Sequence, residues 1–355
     1  MKIAYLIHLD VSKKSGLVKK IERHIRCWQR EGHEIHLFVL SKNTSIWEGI
    51  SDIPVTILKA TRKTILMKAC LLFRSIRQWH PDLIYHRFEV YYPGLKRLMM
   101  LFPTVLELNS DDLSEFKVTN PWYVYLYHLI TRELVLKSAA GLVFLTKEVA
   151  DRNRLGKPFE IIGDSIDLSQ FHQIPAPDNG NSANAVVIAS SAKPWHGLDK
   201  IIWLAKNFQK WRFDIIGLTA SDLGGELAAN VTAHGFLDQS CYEKIMSKAD
   251  VAFAGLAMHR INMNETTPLK VREYLAYGIP TIIGFKDTDF PEPEPFLLEL
   301  PNTEDNVTRN AVRIEQFVKN WQGKRVPHEQ IAHLDAMVKE KKRTAFLKKV
   351  LRKGS

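Results

Sequence analysis

Asn264-Glu265-Thr266-Thr267-Pro268-Leu269-Lys270-Val271-Arg272-Glu273-Tyr274-Leu275-Ala276-Tyr277-Gly278-Ile279-Pro280 is a helix punctuated at both ends. Thr267 suits the N-cap. Pro268 suits the first helical position, where its missing N–H is no loss. Gly278 fits the left-handed residue after the last turn, and Pro280 blocks continuation. The free amides of the first turn, with the helix dipole, form a ready site for a phosphate. Glu265 stands just before that turn, facing whatever the phosphate carries. Glu273 shares a face with Leu269 and Ala276, an apolar stripe on which a carboxylate needs hydrogen-bond donors. Ligand hydroxyls would supply them; the alternative is a pair with Lys270 on a solvated face.

Outward from this helix the chain alternates short apolar runs with helical periods. Strands are expected at 185–189, 213–216, 231–233, 251–254 and 281–283, with a helix at 198–207. The first half repeats the pattern, with strands at 2–8, 34–40, 55–58, 83–86, 104–108 and 141–145 and helices at 17–31, 65–79 and 122–138. Such alternation argues for parallel sheets covered by helices on both faces. A polar stretch, Pro175-Ala176-Pro177-Asp178-Asn179-Gly180-Asn181-Ser182, reads as a loop between the halves. The expectation is α/β: two doubly wound Rossmann-like domains facing across a cleft, with ligands at the carboxyl ends of the strands. The first domain would span 1–165 and the second 166–310. Helices at 303–321 and 328–351 would close the chain, and the segment 311–355 would pack back on the first domain.

Length and composition agree. The 355 residues suit two domains, and 45% hydrophobic with 25% charged residues is ordinary for a globular chain. No run approaches the roughly 18 apolar residues of a membrane helix. The first residues, 1–8, lack the cleavage site of a signal peptide, so a cytoplasmic protein is expected. Cys27, Cys70 and Cys241 have no metal-like spacing and read as buried, reduced side chains. The net charge is +10, and residues 1–150 hold 22 Lys+Arg against 14 Asp+Glu. Lys13, Lys14, Lys19, Lys20, Arg23 and Arg26 crowd the first loop and helix. That excess suggests an anionic partner, such as lipid head groups at the inner membrane face, or else a solvated surface.

The helix quoted first, with Glu265 and Glu273 eight positions apart, resembles the signature of the family-4 retaining glycosyltransferases, whose two-domain fold is called GT-B. Trp195-His196-Gly197-Leu198-Asp199 resembles the Trp-His-Gly motif of its polysaccharide and lipid-sugar transferases. The stretch 162–171 resembles the family's linker strand, and Leu106-Glu107-Leu108-Asn109 its Glu-x-Asn turn. The resemblance implies transfer of a hexosyl group from a nucleoside-diphosphate sugar with retention, without metal or other cofactor, in polysaccharide or glycolipid synthesis. Glu265 would contact the donor sugar and Glu273 the ribose, with Thr266, Thr267 and Leu269 at the phosphates. Lys193 and His196 stand where the family has an Arg and a Lys for the diphosphate. Gly16 stands where it has two adjacent glycines. Arg87, Glu107 and Asn109 would face the acceptor, lipid-linked or saccharide. The alternatives are a sugar-nucleotide epimerase on the same fold or a non-catalytic basic binding protein; nucleic acid is not expected as a partner.

Two acidic pairs need a reading. Asp287-Thr288-Asp289 is taken as a solvated turn rather than a metal site. Asp111-Asp112 is taken as the cap of the next helix. No His-x-x-x-His, Walker loop or Gly-x-Gly-x-x-Gly supports a zinc hydrolase, an ATPase or a dehydrogenase.

Overall fold

The structure is a computed structural model; it describes all residues except Lys13, Lys14, Arg62, Gln173, Asn181 and Ser355. It divides into one compact unit of 1–165 with 336–355 and another of 166–335.

In the first unit, β1 (Lys2–His8), α1 (Gly16–Arg30), β2 (Glu34–Ser41), β3 (Val55–Lys59), α2 (Ile65–Trp79), β4 (Leu83–Arg87), α3 (Leu95–Leu101) and β5 (Thr104–Leu108) come first. They are followed by α4 (Asp112–Thr119), α5 (Trp122–Ser138), β6 (Gly141–Phe144), α6 (Lys147–Asn153) and β7 (Phe159–Ile161). The described strands form one seven-stranded sheet in the order β3-β2-β1-β4-β5-β6-β7, every pair parallel. Near-continuous apolar runs, such as the buried residues 3–7 of β1, belong to a sheet covered on both faces.

The second unit runs β8 (Asn184–Ile188), α7 (Leu198–Asn207), β9 (Arg212–Ile216), β10 (Val231–Ala233), α8 (Gln239–Lys248) and β11 (Val251–Ala254). Then come α9 (Leu269–Ala276), β12 (Thr281–Ile283), β13 (Leu297–Glu299), α10 (Asn306–Arg309) and α11 (Ala311–Trp321). Its described strands form a six-stranded parallel sheet, β10-β9-β8-β11-β12-β13. In both sheets the strand order reverses direction beside the first strand, at β1/β4 and at β8/β11. That is the switch point where open α/β sheets hold ligands.

The C-terminal helices divide differently from the sequence reading. Within 311–335, α11 stays in the second unit, its Ile314, Phe317 and Val318 packed in that core with Phe213 and Val251. Only α12 (Ala336–Gly354) joins the first unit, with Phe346, Leu347 and Val350 against Ile3, Tyr5 and Trp28. The amphipathic period of each helix is visible in the chain; which sheet it covers is a property of the whole fold. Of the cysteines, Cys27 is buried, but Cys70 and Cys241 are exposed, against expectation.

The basic cluster after β1 is also partly internal. Lys20 is 3% exposed and pairs with Glu107 at 2.9 Å and Asp164 at 2.7 Å. Arg26 pairs with Asp52 at 2.6 Å. Lys13 and Lys14 lie outside the described residues, as does Asn181 of the polar loop. Among the described residues no helix is long and apolar enough to cross a membrane.

Candidate active site

In the second unit, β8 delivers the chain to the switch point, where a short turn, Pro194–His196, precedes α7. Gly197 ends that turn at φ 69°, and a Cβ there would lie 2.8 Å from the Leu256 Cβ. The close approach lets the loops after β8 and β11 bond: the Leu256 N–H donates to the His196 carbonyl at 3.3 Å, and the Ala257 N–H to that of Trp195 at 3.2 Å. Gly thus has both a conformational and a steric reason to follow Trp195-His196.

α9 begins one residue later than the sequence suggests. Residues before it run extended beside the segment after β12. Glu265 bridges Lys286, and the Thr266 N–H donates to the Lys286 carbonyl at 3.2 Å. Thr267 is buried in this extended run and does not cap; Pro268, at φ −70° and ψ 138°, takes the N-cap position. A residue before proline is driven extended, which explains the shift. Pro268 O accepts from Val271 and Arg272, so the amides of Leu269 and Lys270 stand at the helix's open end.

Two side chains of α9 staple it to the end of β8. The Ile188 N–H donates to the Tyr274 phenol oxygen at 2.6 Å, and the Lys270 ammonium donates to the Ile188 carbonyl at 2.8 Å. Burial pulls the Lys270 amine down to about 8. The same burial, with Lys270 and Lys193 nearby, pulls His196 down to about 3. His196 is therefore neutral near pH 7, where the sequence reading had it share the diphosphate's charge. Its Nδ1 is buried without a hydrogen-bond partner among the described residues. The cations here are Lys193, whose ammonium lies 5.7 Å from the Trp195 ring, and Lys270. Lys270 was read only as a neighbour of Glu273, because i,i+3 spacing carries no information about the adjacent strand.

Glu273 is half-buried on α9. Its charge, after burial, raises the phenols of Tyr242 and Tyr277. Asp287 and Asp289 are not a solvated turn. Arg272, fully buried, donates to both Asp287 oxygens at 2.6 and 2.8 Å and to Asp289 at 2.8 Å. This fork pins α9 to the loop after β12. Among the described residues no group of three or more His, Cys, Asp or Glu is placed to hold a metal ion.

Glu265, Thr266, Thr267, Leu269, Glu273, Lys193 and His196 lie in the second unit, and Gly16, Arg87, Glu107 and Asn109 in the first. Gly16 is the first residue of α1, capped by the Ser15 hydroxyl, not a loop residue. Arg87 and Asn109 line a cavity of about 500 Å³ at the carboxyl ends of β1, β4 and β5, with His8, Glu89, Ser110 and Glu115. Glu107 does not line it. Glu107 is fully buried, and although burial pushes its carboxyl up, Lys20 and Arg343 prevail and hold it below the ordinary range. Asp111 does cap α4, its carboxylate accepting from the Ser114 N–H at 3.4 Å, whereas Asp112 pairs with His128 and Arg132.

No family model matches the chain, and no curated protein matches it. Solved structures do. The sucrose-phosphate synthase of Thermosynechococcus elongatus superposes with a TM-score of 0.74 at 13% identity, covering 99% of each chain. Anabaena HepE in complex with UDP and glucose gives 0.65 at 13%, covering 98% of this chain and 100% of that one. The UDP-GlcNAc 2-epimerase of Neisseria meningitidis, bound to UDP-GlcNAc, gives 0.54 at 13%, with 98% and 100% covered. At such identities the likeness is one of fold: this chain has the doubly wound, two-sheet α/β fold of the GT-B type.

Proposed function

We propose that the chain is a retaining hexosyltransferase that uses a nucleoside-diphosphate sugar. What supports this is that Lys193 and Lys270 lie near His196 at the end of β8, beside the open amides of α9, while Glu265 precedes that helix and Glu273 lies within it. Two cations and a helix N-terminus suit a diphosphate, and flanking carboxylates suit the hydroxyls of a sugar and a ribose.

In this reading the bond between the anomeric carbon and the β-phosphate oxygen breaks, and its electron pair leaves with the diphosphate. Lys193, Lys270 and the amides of Leu269 and Lys270 stabilise that charge. Losing one such donor costs about 3–4 kcal/mol of barrier. Glu265 opposes the positive charge growing on the sugar ring. The acceptor oxygen bonds to the same face of the carbon and gives its proton to the departing phosphate oxygen. No metal is needed, because cations already face the phosphates and Asp287 and Asp289 are committed to Arg272.

The acceptor belongs to the first unit's cavity. Asn109 Nδ2 and Arg87 Nε are buried there without partners among the described residues, and oxygen atoms of a saccharide or of a lipid-linked sugar would satisfy them. The enzyme would act in the cytoplasm, at the inner membrane face where the acceptor is a lipid. The structures named above include a sucrose-phosphate synthase and a UDP-GlcNAc 2-epimerase, so fold does not choose between transferase and epimerase. The choice of transferase rests on this separate acceptor cavity. A thermal-shift panel of UDP-, GDP- and ADP-sugars tests the reading: one should stabilise the protein by about 2.7 kcal/mol at 100 times its Kd, and none doing so would overturn it.

A further inference from the structure

α5 turns two of its polar residues inward. Its buried residues are His128, Arg132, Val135 and Leu136. His128 and Arg132 both close on Asp112 at 2.6 Å. The opposite side exposes Tyr123, Leu126, Tyr127, Ile130 and Leu134, an apolar stripe of helical period left in solvent. A surface helix ordinarily does the reverse.

The neighbouring elements extend this surface. α3 packs on α5 and α2 packs on α3, tied by Tyr127 Oη donating to the Tyr91 carbonyl at 3.0 Å and by Cys70 Sγ reaching that of Pro93 at 3.5 Å. Met100 on α3 is 76% exposed, and Met67 and Leu71 on α2 are exposed too. Between α2 and α3 runs a groove of about 450 Å³ lined by Arg74, Arg77 and Arg97, with Leu101 on its wall. Across the two helices the sequence places Lys68, Arg74, Arg77, Lys96 and Arg97, and no Asp or Glu.

We infer that the face made by α2, α3 and α5 docks on an anionic bilayer, the groove arginines holding a phospholipid phosphate while Met100, Trp122 and Ile130 enter the head-group boundary. Guanidinium forks match phosphate oxygens, and the apolar stripe matches the acyl edge. A second copy of the chain would set the same five cations against themselves. A soluble phosphorylated ligand would fill the groove and leave the stripe of α5 in water. The inference rests on the transferase reading only for its purpose, to hold the enzyme where a lipid-linked acceptor lies.

Flotation of the full chain with phosphatidylcholine vesicles, and with vesicles also containing phosphatidylglycerol, tests it without any donor. The protein should float only with the anionic vesicles, and less at high salt. The triple variant R74Q/R77Q/R97Q should lower the partition coefficient roughly 100-fold. The double variant M100S/I130S should lower it at least about tenfold. Both variants should keep the wild-type melting curve and affinity for UDP. Failure of the wild type to float, or flotation unchanged in either variant, overturns the docking. A protein that binds UDP but ignores vesicles loses only this inference; one that floats but binds no nucleoside diphosphate loses only the transferase reading.

Discussion

Lys270 holds the carbonyl of Ile188, so the ammonium that faces the proposed diphosphate also fixes the helix bearing it to the end of β8. Burial sets this amine at about 8. Diphosphate affinity should therefore fall as pH rises from 7 to 9 and Lys270 loses its charge. His196 is neutral across that range and adds no slope. Calorimetric titration with UDP should show the fall in the wild type and a flat profile in Lys270→Gln. An equally steep profile in the variant would assign the titration elsewhere.

Arg272 and Asp287 make a pair fully withdrawn from water. Removing one partner of such a pair leaves a buried charge, at a cost of about 3–5 kcal/mol. Arg272→Met should lower the unfolding free energy by that amount in urea, and R272M/D287L should recover part of it. A single variant as stable as wild type would mean that the fork does not secure α9.

The same commitment of Asp287 and Asp289 bears on metal. With both carboxylates spent on Arg272, EDTA should leave transfer activity unchanged. Loss of activity in EDTA, restored by Mn²⁺, would show that a cation works at this site after all.

Local punctuation made α9 legible before any coordinates: Pro268 and Gly278 bound it within a residue of where it lies. Gly278, at φ 74°, has the left-handed backbone that its place after the helix demands. The doubly wound α/β class and the parallel sheets also followed from strand alternation. What stayed hidden depended on distant partners. Asp287 reads as a turn residue until Arg272 is seen opposite it, and Glu107 reads as an acceptor contact until Lys20 and Arg343 are seen to bury it. The strands 159–161 and 297–299 escaped because each has only three residues and one of them is a glutamate, whereas the equally short 231–233 and 281–283 hold no charge to break the apolar run.

Glu273 tests the ribose assignment. Hydrogen bonds to a charged group are worth about 1.5–3 kcal/mol, so Glu273→Ala should weaken UDP binding roughly 10- to 150-fold with the fold intact. Because the residue is half-buried on a short helix, circular dichroism must accompany the calorimetry. Unchanged affinity would return Glu273 to a structural role beside Tyr242.

Arg87 tests the acceptor cavity. Its Nη1 reaches Glu89 at 3.0 Å, and its Nε is buried without a partner among the described residues, an arrangement that leaves one donor for a ligand. Glu89 in turn lies 3.2 Å from His8, so the guanidinium is held by a local chain of polar contacts rather than by the core. Replacing Arg87 with Met should then spare stability, and also donor binding, which the proposed function assigns to residues of the second unit. The acceptor loses a charge-assisted hydrogen bond, so kcat/KM for the acceptor should fall about 10- to 100-fold, with UDP affinity unchanged. If the loss appears instead in donor affinity, Arg87 serves the nucleotide, and the cavity it lines is not the acceptor's.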